Sequence, residues 1–426
     1  MLKTVIYGKN AVLPPPGAQS VADVRETVAA ILADVRARGD DALREYTERF
    51  DGVARGAFEV TADEKKRALA SLDPEFLAVL RRAKANIETY HKNQLRSGFV
   101  TQSADGAILG QLILPIERVG LYVPGGSAPL ASVLLMNAVP AKLAGVPELI
   151  VVTPPGRDGT VSADILAAAE TSGVDRVFAV GGAQAIAALA YGTASIPRVD
   201  KICGPGNAFV VEAKRQVFGV VGIEMLPGPS DICVVADETA NPRFVAADML
   251  AQAEHDRNAR AVLVTASAEL AARVEAELEA QLRTLPRAET AKASLETNGL
   301  IVLVSSLSEA MRAANAIAPE HLELAVSAPY DLLPQVKNAA SVFLGHYAPE
   351  AFGDYLAGPN NTLPTYGTAR FASPVSVDDF VKKTQLTGFS REAFSTLARD
   401  VIAFAHREKL DGHARSVEIR LGEDTP

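Results

Sequence analysis

LYVPGG at 121–126, ELIVVTPP at 148–155, VDRVFAVGG at 174–182 and VDKICGPG at 199–206 decide the fold. Each is a short apolar run that breaks into a glycine- or proline-rich turn. Helical patterns follow three of them: LASVLLMNAVPAKLAG at 130–145, AQAIAALAYGT at 183–193 and NAFVVEAKRQVFG at 207–219. Strands and helices alternating at this spacing predict a parallel sheet with right-handed crossovers, because parallel neighbours need a connection long enough to return the chain to its starting edge. A second series begins near Ile232: DICVVADE (231–238), ARAVLVTAS (259–267), NGLIVLVSS (298–306), HLELAV (321–326) and SVFLG (341–345). Two α/β regions of similar rhythm, roughly 120–231 and 232–345, therefore lie in tandem, without a residue-level repeat between them.

Outward from this centre the pattern changes. Val21, Val24, Val28, Ile31, Leu32 and Val35 recur with a 3.6-residue period, with Ser20 as a candidate N-cap and Gly39 as a stop. Amphipathic stretches over 41–50, 62–72 and 75–93 complete a helical first hundred residues. The last fifty hold a helix over 391–407 and a strand-like EIRL end at 418–421.

A chain of 426 residues can bury large cores and divides naturally into two domains. Its formal net charge of −9 argues against nucleic acid or an anionic membrane as partner, since both require a basic surface. No apolar run reaches the length of a membrane span, and the N-terminus lacks the apolar core of a signal peptide, so the expected location is cytoplasmic. Two cysteines, Cys203 and Cys233, sit in or beside apolar runs and read as buried inert thiols.

Chemistry concentrates in four places. MLAQAEHD at 249–256 puts Gln252 and His255 three residues apart, on one face of a helix, where an amide oxygen and an imidazole nitrogen can converge on a cation. APEHLEL at 318–324 sets Glu320 beside His321 where a helix ends and a strand begins, a carboxylate–imidazole pair able to move protons. AFGDYLAGPNNTLPT at 351–365 carries Asp354 ahead of a rigid turn, for which an ordinary Asx turn is the alternative. HREKLDGH at 406–413 carries Glu408 and His413, otherwise a polar helix end. Gln252, His255, Asp354 and His413 form an oxygen-and-nitrogen donor set suited to Zn, with Mn or Co as competitors. The turns Gly125–Gly126, Gly181–Gly182 and Gly204-Pro205-Gly206 let backbone approach a ligand at strand ends, where nucleotides bind in parallel sheets. None is a G-x-G-x-x-G fingerprint and there is no Walker lysine pattern, so structural need alone is the competing explanation.

The segments at 120–146, 180–193, 199–207, 222–256, 318–324 and 369–384, in that order, closely resemble histidinol dehydrogenases. The likeness runs from RFDG at 49–52 to EKLDGHARSVEIRL at 408–421. It implies an α/β fold of two incomplete Rossmann-like domains and a zinc-dependent homodimer that oxidises L-histidinol to L-histidine in two NAD-dependent steps. The implied division is an arm (1–16), a larger domain (17–121 with 232–375), a second domain on the NAD side (122–231) and a tail (376–426) reaching the partner's active site. The resemblance makes Gln252, His255, Asp354 and His413 the zinc ligands, which also touch substrate, and Glu320 and His321 the proton-transfer pair. Ser230, His321 and Glu408 match substrate contacts, and Tyr122, Gln184 and Asn207 match NAD contacts. His413 and Glu408 would come from the partner subunit. One departure concerns Asn361, a position beside the substrate where the family pattern GxNHxLPT has histidine; an amide cannot act as a base near neutral pH. That departure keeps a related dehydrogenase of another small polyol, such as a sulfonated propanediol, as the competing reading.

Overall fold

The computed structural model describes residues 2–8, 13, 24–125 and 129–422. They fall into two units: Met1–Gln94 with Glu117–Phe380, and Leu95–Ile116 with Val381–Pro426.

The first unit begins with strand β1 (Lys3–Ile6) and four helices, α1 (Arg25–Arg38), α2 (Asp40–Asp51), α3 (Ala62–Ala70) and α4 (Pro74–His91). α1 buries Val28, Ile31, Leu32 and Val35 as its period requires, and ends at Gly39, whose φ of 57° suits glycine. The expected cap at Ser20 and the contact at Val21 lie outside the described residues. α3 opens with a reciprocal capping box between Thr61 and Glu64, and α4 with Asp73 capping ahead of Pro74.

After β2 (Phe99–Gln102) and β3 (Ile108–Pro115), which belong to the second unit, the first α/β series runs β4 (Arg118–Tyr122), α5 (Ala131–Leu143), β5 (Glu148–Thr153), α6 (Ala163–Ser172), β6 (Arg176–Ala179), α7 (Gly182–Tyr191), β7 (Lys201–Cys203), α8 (Ala208–Val217) and β8 (Gly222–Ile223). The second series runs β9 (Asp231–Ala236), α9 (Pro242–Ala253), β10 (Arg260–Thr265), α10 (Ala268–Leu282), α11 (Ala288–Asn298), β11 (Leu300–Leu303), α12 (Leu307–Ile317), β12 (His321–Ala325), β13 (Ser341–Leu344) and the short α13 (Glu350–Tyr355).

Both sheets are parallel throughout and share one plan. The first has the order β6-β5-β4-β7-β8 and the second β1-β11-β10-β9-β12-β13. In each, the chain winds outward over three strands, then returns to the other side of the first. The reversal falls between β4 and β7 in one sheet and between β9 and β12 in the other. Strands buried on both faces explain why these runs read as continuously apolar rather than alternating. The thiols of Cys203 and Cys233 are buried in them, as expected.

The second unit is a three-stranded antiparallel sheet, β14-β3-β2, with β14 spanning Val381–Gly388, followed by α14 (Arg391–Arg407) and α15 (Asp411–Leu421). The strand-like EIRL end is the last turn of helix α15 instead. Val417, Ile419 and Leu421 alternate with polar residues, but buried Ala414 and half-buried Val417 and Leu421 share one helical face, and that spacing prevails.

Candidate active site

The expected proton-transfer pair sits at the amino edge of the second sheet. His321 opens β12 and pairs in register with Ile232 of β9 on one side and Ser341 of β13 on the other. Glu320 precedes it, beside Ser230 and Asp231 at the start of β9. Helix α9 leaves the far edge of β9 and runs back, so its last turn brings Gln252, and the turn that follows it His255, to the same edge. The carbonyls at a helix C-terminus favour positive charge nearby.

Asp231 fixes Glu320 in place. The Asp231 N–H donates to Glu320 Oε2 at 3.0 Å, while the N–H groups of Glu320 and Tyr366 donate to Asp231 Oδ1 at 3.3 and 3.2 Å. Burial, reinforced by the negative charges of Asp231 and Asp354, holds the Glu320 carboxyl well above its usual range; a hydrogen bond with Ser230 partly offsets this. His321 is 3% exposed, and burial lowers its imidazole to about 3, so the ring is neutral near pH 7. Its Nδ1 lies 3.3 Å from the Asp231 carbonyl oxygen, 3.8 Å from Glu320 and 3.9 Å from Glu350. A neutral imidazole presents a nitrogen lone pair that can accept a proton.

Gln252 is fully buried. With its nitrogen turned inward, that nitrogen lies 2.8 and 3.1 Å from the two oxygens of Glu350 and 3.0 Å from His321 Nδ1. His321 Nδ1 then accepts from Gln252, or donates to Asp231, according to which ring nitrogen holds the proton. His255 is exposed, and its Nδ1 donates to the Ala251 carbonyl at 2.9 Å, which leaves Nε2 free as a metal donor. Burial pushes the Asp354 carboxyl up to about 6, an effect that His255 partly offsets. Gln252, His255, Asp354, Glu320 and His321 thus form one electrostatic neighbourhood.

Those residues fit a divalent cation. Burial raises Asp231, Asp248, Glu320, Glu323, Glu350 and Asp354 alike, and several raise one another by like charge. A cation at their open side would relieve that repulsion, and an amide oxygen, an imidazole nitrogen and a carboxylate suit zinc. Among the described residues no three His, Cys, Asp or Glu side chains gather as a metal cluster. The expected set includes an amide and divides its remaining ligands between the two units.

The nucleotide candidates occupy the opposite kind of edge, the carboxyl ends of the first sheet. Tyr122 ends β4, and its hydroxyl accepts from the Gly182 N–H at 3.2 Å. Gln184, two residues further into α7, is buried with Oε1 lacking any partner. Asn207 caps α8, its Oδ1 accepting from the N–H groups of Phe209 and Val210 at 3.1 and 3.2 Å. A Cβ at Gly125 would stand 2.5 Å from Thr153 Oγ1, and one at Gly204 2.1 Å from the Tyr122 carbonyl oxygen, so these turns exclude side chains. Gly126 lies outside the described residues.

Asn361 is half-buried; its nitrogen donates to the Asp354 carbonyl at 3.2 Å, and its Oδ1 is buried without a partner. It therefore braces the segment carrying Asp354. Glu408 and His413 lie on the second unit, exposed at the end of α14 and in the first turn of α15. Lys409, with a φ of 58°, makes the sharp turn between them. Sequence reasoning missed Asp231 and Glu350. Asp231 stands next to a predicted residue, whereas Glu350 carried no signal in APEAFGD.

A pair of parallel sheets, glycine turns at carboxyl strand ends and an acid–imidazole couple beside metal-donor side chains define an oxidoreductase of the dehydrogenase class. The histidinol dehydrogenase family profile matches residues 16–421. A histidinol dehydrogenase from Bacillus cereus is 52% identical over 94% of this chain and 93% of its own length. One from Syntrophotalea carbinolica is 52% identical over 96% and 94%. The crystal structure of histidinol dehydrogenase from Elizabethkingia anophelis superposes with a TM-score of 0.93 at 35% identity, covering 99% of this chain and 98% of the other. The chain belongs to the histidinol dehydrogenase family. The reading as a dehydrogenase of a sulfonated polyol is not favoured by these relatives.

Proposed function

We propose that this chain catalyses the final step of histidine biosynthesis, oxidising L-histidinol to L-histidine through L-histidinal with two NAD, as a cytoplasmic zinc-dependent homodimer. The observation that carries the reading is the convergence of Gln252, His255 and Asp354 on the amino edge that holds Glu320 and His321. The domain division expected from sequence belongs to the same proposal: the 122–231 domain takes NAD, the 17–121 and 232–375 domain holds the metal side, and the arm and tail serve the dimer.

Gln252, His255, Asp354 and the partner's His413 would hold the zinc. When bound, the metal supplies two points of attachment for the amine and imidazole nitrogens of histidinol, which lowers the entropic cost of reaching the hydride-transfer geometry. His321, neutral and buried, accepts the substrate hydroxyl proton as the carbon passes hydride to NAD, leaving the aldehyde. Glu320, whose carboxyl burial holds above its ordinary range, takes a proton from the water that adds to the aldehyde. His321 takes the hydrate's hydroxyl proton as a second hydride leaves to a second NAD. Ser230 holds Glu320, and Asn361 braces the Asp354 segment beside the substrate. The partner's Glu408 offers negative charge to the cationic end of the substrate. Tyr122, Gln184 and Asn207 line the nucleotide side, where the partnerless Gln184 Oε1 is an acceptor awaiting a donor.

The deciding experiment counts NADH formed per histidinol consumed by the zinc-loaded protein. Two is expected. One, or none, would refute the four-electron reaction.

A further inference from the structure

We infer that Glu350 is the positioning residue that turns the Gln252 amide so its oxygen, rather than its nitrogen, faces the metal; this rests on the metal reading proposed above. An amide is an ambiguous ligand. Its oxygen can bind a cation, its nitrogen cannot, and the two ends are nearly the same shape. A site that relies on Gln252 therefore needs something that discriminates between the ends.

Glu350 discriminates by presenting both of its oxygens to one end of the amide. With Nε2 inward, the amide nitrogen lies 2.8 Å from Glu350 Oε2 and 3.1 Å from Oε1. With Oε1 inward, the same contacts set oxygen against oxygen, an acceptor facing acceptors. Both side chains are nearly inaccessible, Gln252 at 0% and Glu350 at 2% exposed, so water cannot screen the choice. Glu350 is itself held. It begins the short helix α13, and its N–H donates to the buried Glu323 Oε1 at 2.9 Å. The same helix carries Asp354 one turn on, so a single six-residue element positions one ligand covalently and orients another by hydrogen bond. Glu350 touches neither the reacting carbon nor the nucleotide in this scheme. It acts through Gln252.

The test measures zinc affinity directly, by competition with a chromogenic chelator, on the purified dimer stripped of metal and reloaded. Outer partners of metal ligands typically contribute about 10–100-fold in affinity. Glu350→Gln should weaken zinc binding by about that factor. A second substitution, Gln252→Glu, presents oxygen at both ends and removes the need for orientation, so the Glu350→Gln/Gln252→Glu pair should recover most of the loss. Glu350→Asp, which keeps the charge but shortens its reach, should fall between wild type and Glu350→Gln and serves if the amide variant does not fold. Unchanged zinc affinity in Glu350→Gln or Glu350→Asp, with wild type binding one zinc per subunit, would overturn the role of Glu350 and leave the proposed reaction standing. A wild-type protein that takes up no zinc would instead overturn the metal reading itself.

Discussion

The side chains of Lys214 and Glu224 are both completely buried, and their removal offers a sharp test of how the turn after β7 is held. Lys214 Nζ donates to Glu224 Oε1 at 2.7 Å and to the Gly204 carbonyl at 3.0 Å. The Gly204 N–H donates to the same Glu224 oxygen at 2.7 Å. The pair therefore clamps both polar groups of one glycine, in a conformation (φ 114°) that other residues rarely adopt. Gly204 leads directly to Asn207, the cap of α8 and a residue of the proposed nucleotide side.

Lys214→Met keeps the length of the stem and deletes the charge. It leaves Glu224 buried without its cation, and the Gly204 carbonyl without a donor. Breaking a buried pair from one side costs about 3–5 kcal/mol, because the remaining charge is neither solvated nor matched. Set against a usual total of about 5–15 kcal/mol, that is a large fraction. Replacing both members, Lys214→Met with Glu224→Leu, removes the stranded charge and should be markedly more stable than the single variant. Urea unfolding at fixed subunit concentration measures each value, with the midpoint shifting and the slope nearly constant. A single variant within about 1 kcal/mol of wild type, the range of an exposed pair, would refute the argument. So would a double variant no better than the single.

Three further outcomes concern His321 and Glu320 at the proposed active site and Asp51 at the end of α2. His321→Asn should slow both half-reactions by about two to four orders of magnitude with zinc content unchanged. Glu320→Gln should slow aldehyde oxidation far more than alcohol oxidation; equal losses in separate assays of the two substrates would defeat the division of roles. Asp51, at the end of α2, is pushed up to about 6 by burial, and its Oδ2 has no partner. A carboxyl raised in the folded state binds its proton more tightly there than when unfolded. Its full contribution is present below the ordinary value of 3.8 and is lost as pH rises through about 6. Asp51→Asn should accordingly stabilise the protein by about 1–2 kcal/mol at pH 8, after allowance for partial exposure, and by nothing near pH 4. A pH-independent difference in urea midpoints would contradict that account.

Much of the molecule was legible because its strands are buried on both faces and its turns need glycine or proline; the two parallel series from LYVPGG to SVFLG rest on those facts. The antiparallel sheet was not. β2 and β3 open on consecutive apolar residues that are exposed in the chain, Phe99–Val100 and Ile108–Leu109, so their sequences lack the apolar–polar alternation that marks a half-buried strand. β1 escaped because four residues in a helical stretch carry too little pattern, and only pairing with β11 makes them a strand. Glu350 was invisible for another reason: its role depends on which way a neighbouring amide points, a relation with no sequence spacing.

The clustering of Gln252 and His255 with Glu320 and His321 follows from the lengths of β9 and α9. β9 has six residues, a rise of about 20 Å. α9 has twelve, a rise of about 18 Å. A helix that returns antiparallel along a strand of nearly its own length ends at the edge where that strand began. Its last turn must then come up beside Ser230 and Asp231, and Glu320 and His321 open the next strand over, at the same edge. An insertion of two helical turns into α9 would carry His255 about 10 Å past that edge. The i, i+3 spacing of Gln252 and His255 means little alone; what gives it weight is that Gln252 falls in the final turn of a helix cut to the length of its strand, and His255 in the turn just beyond it.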